Sequence, residues 1–117
     1  MRLNTGELLD GRYKIINLVK IGGMSNIYKA EDERLTKICA VKELFYNPED
    51  NEDNQYAINR FREEAKLLAE LFHPNLPRVS DYFTCGGCYY LVMDFIEGMD
   101  LESLLKKTEK RGLSEDN

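Results

Sequence analysis

Two charged side chains fall where apolar ones belong. I-C-A-V-K-E-L (Ile38 to Leu44) alternates as a β-strand does, and its inward series Ile38, Ala40 ends in Lys42. In Q-Y-A-I-N-R-F-R-E-E-A-K-L-L-A-E-L-F (Gln55 to Phe72), Phe61, Ala65, Leu68 and Phe72 recur at helical spacing, and Glu64 shares their face. An unpaired buried charge costs several kcal/mol, so an inward ammonium and an inward carboxylate suggest each other as partners. The alternatives are a Lys42 that snorkels off the strand end and a Glu64 at the edge of the stripe. Glu63, about 100° around the helix, is a rival carboxylate, and spacing alone does not separate the two.

Two further stretches could carry chemistry. K-I-G-G-M-S-N-I-Y (Lys20 to Tyr28) breaks a β-like run with two glycines, either for a turn or so that something can approach the backbone. C-G-G-C (Cys85 to Cys88) has the spacing of a redox motif or half a zinc site. A four-ligand zinc site would need two more donors, and only His73 and Cys39 remain among the histidine and cysteines. Gly-Gly between two strands reads as a hairpin turn, across which a reversible disulfide could form under oxidation. His73 is expected to close the helix, because a residue before proline is pushed out of helical geometry.

The elements that must position these residues follow from periodicity. Tyr13 to Tyr28 predicts two antiparallel strands, roughly 13–20 and 24–31, and Ile38 to Leu44 a third. The long helix over Gln55 to Phe72 follows a solvated acidic loop, P-E-D-N-E-D-N (Pro48 to Asn54). Arg78 to Thr84 and Cys88 to Phe95 give two more strands, the second nearly all apolar and therefore buried. A short helix is expected at Leu101 to Lys107. The sum is an α+β layout: a five-stranded antiparallel sheet with one long helix.

Bulk properties narrow the function classes. The 117 residues suffice for one modest domain, and a net charge of −5 argues against non-specific nucleic-acid binding. Three cysteines are too few for a disulfide framework. No run approaches the roughly 18 apolar residues of a membrane span, and the start lacks a secretory signal's apolar core, so the expected location is cytoplasmic.

The order of these features resembles a protein kinase: G-G-M-S-N-I-Y (Gly22 to Tyr28), C-A-V-K (Cys39 to Lys42), F-R-E-E-A (Phe61 to Ala65), H-P-N-L-P-R-V (His73 to Val79) and Y-L-V-M-D-F-I-E-G-M-D-L (Tyr90 to Leu101). The G-G-M and H-P-N-L-P elements look most like bacterial serine/threonine kinases, and the resemblance covers roughly residues 11–107. It implies the ATP-binding small lobe, with residues 1–12 as an N-terminal extension, 13–98 as the lobe and 99–117 as the exit towards an absent C-terminal lobe. It also implies that Lys42 holds the α- and β-phosphates of ATP and pairs with Glu64 rather than Glu63. Val19 and Ile27 would cover the adenine, with Ala40 beside it and Met93 as the gatekeeper behind. The backbone of Asp94 and Ile96 would bond the adenine edge, Asp100 would face the ribose, and Gly22 and Gly23 would drape backbone N–H groups over the phosphates.

The chain departs from the family pattern in two ways. Lys20 and Ser25 stand at two of the three glycine positions of the phosphate loop, which implies altered ATP binding. Neither H-R-D nor D-F-G occurs in the 117 residues, so the catalytic base and the ligands for Mg2+ are missing and the chain alone is expected to be inactive. The complete enzyme would phosphorylate protein serine or threonine. The alternative is a pseudokinase-like module that binds nucleotide or a protein without chemistry. An apolar face meant for another lobe would favour self-association.

Overall fold

Strand β4 (Lys37–Leu44) is buried on both faces from Cys39 to Leu44, and the rest of the fold is arranged around it. The computed structural model describes residues 3–22, 25–45, 51–70 and 77–97. Gly23, His73, Asp100, Pro48 to Asp50 and the helix expected at Leu101 to Lys107 lie outside them, as does the Leu68 side chain. The other elements are β1 (Leu8–Leu9), β2 (Tyr13–Ile21), β3 (Ser25–Asp32), helix α1 (Asn51–Glu70), β5 (Val79–Cys85) and β6 (Cys88–Asp94). They form one antiparallel sheet in the order β1-β2-β3-β4-β6-β5.

Alternation along β3, β4 and β6 sorts the core into two layers. Tyr28, Ala30, Cys39, Val41, Cys88, Tyr90 and Val92 share one layer. Ile27, Ala40, Leu44, Leu91 and Met93 share the other, together with Phe61 and Ala65 of α1. Among the described residues no helix side chain joins the first layer, and the sheet's own curl encloses it. A flat sheet would put β2 and β5 about 19 Å apart, four strand spacings away. Instead the rings of Tyr13 and Phe83 stack at 5.9 Å, and the Tyr13 hydroxyl donates to Asp81 Oδ2 at 2.7 Å.

The elements differ from the sequence expectation at their margins. Among the described residues there are six strands rather than five, because Leu8–Leu9 pairs with Tyr13 and Lys14. The helix starts at Asn51, four residues before Gln55, inside the stretch expected as a loop. Residues 51–54 thus open the helix, and their acidic composition is compatible with a first turn as well as with a loop. Ile38 is 38% exposed, so the inward series of β4 begins only at Ala40. The C-G-G-C stretch is the expected hairpin: Gly86 and Gly87 take φ of 58° and 83°, a conformation with both central residues left-handed, and Cys85 lies opposite Cys88.

Candidate functional site

Lys42 and Glu64 meet. Lys42 Nζ lies 2.7 Å from Glu64 Oε2, and the two side chains are 6% and 12% exposed. The strand and helix periodicities that pointed both inward therefore converge, while Glu63 is exposed. Phe61, one turn before Glu64, lies under the ammonium at 6.0 Å from its ring centre.

Around this pair the sheet places the apolar residues singled out from sequence. Ile27 stands opposite Lys42 on β3, and Met93 stands opposite Ala40 on β6. All three belong to the helix-side layer and are at most 2% exposed. Val19 does not join them. A register shift in β2 falls between Leu18 and Lys20, and Val19 within it is 47% exposed.

The glycine stretch resolves partly as a turn. The Gly22 N–H donates to the Ser25 carbonyl at 2.6 Å, and a Cβ on Gly22 would sit 2.9 Å from that oxygen. Closeness of the chain to itself already requires glycine at this position. Gly23 falls outside the described residues, as does Asp100.

At the end of β6 the backbone leaves the sheet beside the same layer. The Asp94 N–H donates to the Arg78 carbonyl at 3.0 Å. Its carboxylate is held by Lys37 at 2.8 Å. Ile96 is half-buried, and the neighbouring Phe95 ring lies 5.0 Å from Lys29 Nζ.

Sequence reading missed a second buried carboxylate. Glu43, next to Lys42 and therefore on the opposite face of β4, is 1% exposed. It accepts hydrogen bonds from the Tyr28 hydroxyl at 2.9 Å, the Tyr90 hydroxyl at 2.8 Å and Asn26 Nδ2 at 3.3 Å. The Tyr28 hydroxyl also accepts from the Leu3 N–H at 3.0 Å, which ties the N-terminal arm to this cluster. Burial pushes both phenols above their usual range, and the bond to Glu43 adds to the shift. The usable signal was the K-E dipeptide itself, since alternation must turn one of the two away from the helix.

A third charged contact stands apart from the site. Arg12 forks onto Asp32 through Nε at 2.9 Å and Nη2 at 2.7 Å, and this fork holds the Asp32 carboxyl below its usual range. Among the described residues no three His, Cys, Asp or Glu side chains are gathered as a metal site, and no helix is long and apolar enough to cross a membrane.

Comparison with known proteins agrees with this geometry. The protein kinase domain family matches residues 13–117. The chain is 38% identical over 100 residues to the serine/threonine-protein kinase PrkC of Bacillus subtilis, covering 86% of this chain and 15% of that protein. It is 38% identical over 118 residues to the serine/threonine-protein kinase PknA of Mycobacterium tuberculosis, covering 97% of this chain and 27% of that protein. Among solved structures, the apo form of PpkA-294 superposes with a TM-score of 0.73 at 25% identity, over 94% of this chain and 44% of that one. The PknI kinase domain of Mycobacterium tuberculosis superposes at 0.64 and 27% identity, over 86% and 39%. The chain thus spans less than half the length of these relatives, and under a third of the curated ones. A curled antiparallel sheet with one long helix, matched in sequence and in shape, makes the chain a member of the protein kinase domain family, arranged as the small lobe of a bacterial-type serine/threonine kinase.

Proposed function

We propose that this lobe holds ATP for a serine/threonine protein kinase, with Lys42 on the α- and β-phosphates and Glu64 holding Lys42 in place. The observation that carries the reading is the 2.7 Å pair between Lys42 and Glu64 beside the apolar set Ile27, Ala40 and Met93. An apolar pocket ending in an oriented cation fits a flat base joined to a polyphosphate. Ile27 and Ala40 pack against the adenine, Met93 closes the pocket behind it, and the backbone of Asp94 and Ile96 bonds its edge. Gly22 and Gly23 cover the phosphates and Asp100 faces the ribose, while Val19, exposed on β2, is left to meet the adenine only once nucleotide is bound.

Mg2+ bound with ATP would neutralise phosphate charge, and the residues that hold it are not among those described. With no H-R-D or D-F-G in the 117 residues, the chain on its own binds nucleotide without transferring phosphate. Phosphorylation of protein serine or threonine belongs to the complete enzyme, and a cytoplasmic location fits it. Self-association of the isolated chain belongs to the same reading, and a monomer by light scattering at high concentration would remove that part.

The test is titration of the chain with a fluorescent ATP analogue, with and without Mg2+. Lys42→Met is expected to weaken binding by about tenfold or more, the loss of one charge-assisted contact. Equal affinity for the wild type and this variant would overturn the reading. A wild type that binds no nucleotide but captures a protein segment would favour the non-catalytic module, a reading for which Lys20 in the phosphate loop speaks.

A further inference from the structure

The hairpin thiols have no part in the nucleotide reading. Cys85 and Cys88 are both unbridged and stand directly opposite each other across the Gly86-Gly87 turn. Residues that flank a two-residue turn form a hydrogen-bonded pair with Cα atoms about 5.5 Å apart, within the span a disulfide tolerates. Directly opposed residues point to the same face, and both thiols pack against the same apolar layer. Cys85 is near enough for its charge to contribute to the upward shift of the Cys88 thiol. The turn offers no side chain as a shield, and a hollow of about 310 Å³ lined by Thr84 to Tyr89 opens onto the pair.

We propose that Cys85 and Cys88 form a thiol-modification site, a dithiol that closes reversibly into a hairpin disulfide by exchange with a small disulfide such as oxidised glutathione. The half-buried Cys85 attacks first. Its thiolate takes one sulfur of glutathione disulfide, the S–S bond breaks, and one glutathione leaves as thiolate and takes up the proton. Cys88, deprotonated in turn, attacks the Cys85 sulfur and releases the second glutathione, so two protein thiols are oxidised and one glutathione disulfide is reduced. Cys88 is buried, and burial pushes its thiol up, which suits a resolving rather than an attacking role. The hydrogen-bonded position holds the Cβ atoms farther apart than a relaxed disulfide prefers, so the closed form carries strain and opens readily to thiols. Cys39 is the internal control: it is buried, its thiol is pushed up to about 11, and it has no cysteine opposite it.

The experiment equilibrates the full chain in glutathione buffers from reduced to oxidised, blocks remaining thiols with an alkylating agent, and weighs the intact chain and its tryptic peptides. No Lys or Arg separates the two cysteines, so closure appears as one peptide lighter by two hydrogens and unalkylated at both positions. The expected result is that form in most chains from oxidised buffer, reversed by dithiothreitol, with Cys39 still a thiol. Cys88→Ser should then trap glutathione on Cys85, while Cys85→Ser leaves Cys88 unmodified. Two alkylated thiols in oxidised buffer, a persistent glutathione adduct on wild-type Cys85, or cross-links only between chains would each overturn the proposal.

Discussion

The two faces of β4 bury carboxylates by opposite means. Glu64 reaches the strand from α1 and is matched by the Lys42 cation, at 12% exposure. Glu43, on the reverse, is 1% exposed and sits among two phenols and an amide. A cation can serve a second anion as well as the first, so the Lys42 face is suited to a visiting phosphate. Neutral donors from β3 and β6 converging on a carboxylate of β4 do nothing but fix those strands to one another. One strand can thus divide its duties by face, with an ion pair on one side and neutral cross-strand bonding on the other.

The comparison breaks most visibly at Glu43. Glu43→Leu strands two phenol donors in the core, each costing about 1–3 kcal/mol, so urea unfolding should report a loss of roughly 2–6 kcal/mol. A loss below about 1 kcal/mol would mean that the cluster does not hold the strands. Next comes the coupling across the other face: a double-mutant cycle of Lys42→Met and Glu64→Gln, read by unfolding, should give about 0.5–3 kcal/mol. Additive single variants would show the pair to be thermodynamically idle.

Two smaller effects come from pH. Tyr28 and Tyr90 are raised above the usual phenol value of 10.0, chiefly by burial, so the folded chain keeps protons that the unfolded chain gives up. Stability is intact below pH 10 and should fall as pH rises beyond it, with tyrosinate absorbance appearing only as the chain unfolds. Tyrosinate growth ahead of unfolding would contradict the buried cluster. Asp32 has the opposite sign. Its carboxyl lies below the usual 3.8, first because of the Arg12 fork, so its contribution is complete above that value and is lost as pH falls below it. Asp32→Asn should therefore flatten the acid limb of the stability curve, the least of the four effects.

Lys42 and Glu64 were legible in part because each charge breaks a period, one in an alternating strand and one in a helical stripe, but only the family resemblance chose Glu64 over Glu63. Glu43 was not, because β4 is buried on both faces and alternation no longer separates inside from outside. Val19 was named only through the family resemblance, and the register shift in β2 leaves it exposed and outside the helix-side layer. Leu8–Leu9 is too short to show any period, and its strand exists only through pairing with β2. The start of α1 was hidden by an acidic composition that suits a solvated loop and a helix N-terminus equally.

The N-terminal arm also bears on how the lobe meets other chains. Leu8–Leu9 forms one outer margin of the sheet, and left-handed backbone at Gly6, Asp10 and Gly11 brackets it on both sides. Just before it, the Gly6 N–H and the Glu7 carbonyl are already spent on Ile15. A foreign strand seeking to extend the ladder finds two residues of template and then a bend, too little to seed a fibril. Residues 6–9 thus act as a hem, finishing the Tyr13 to Ile15 stretch of an edge that would otherwise be left raw.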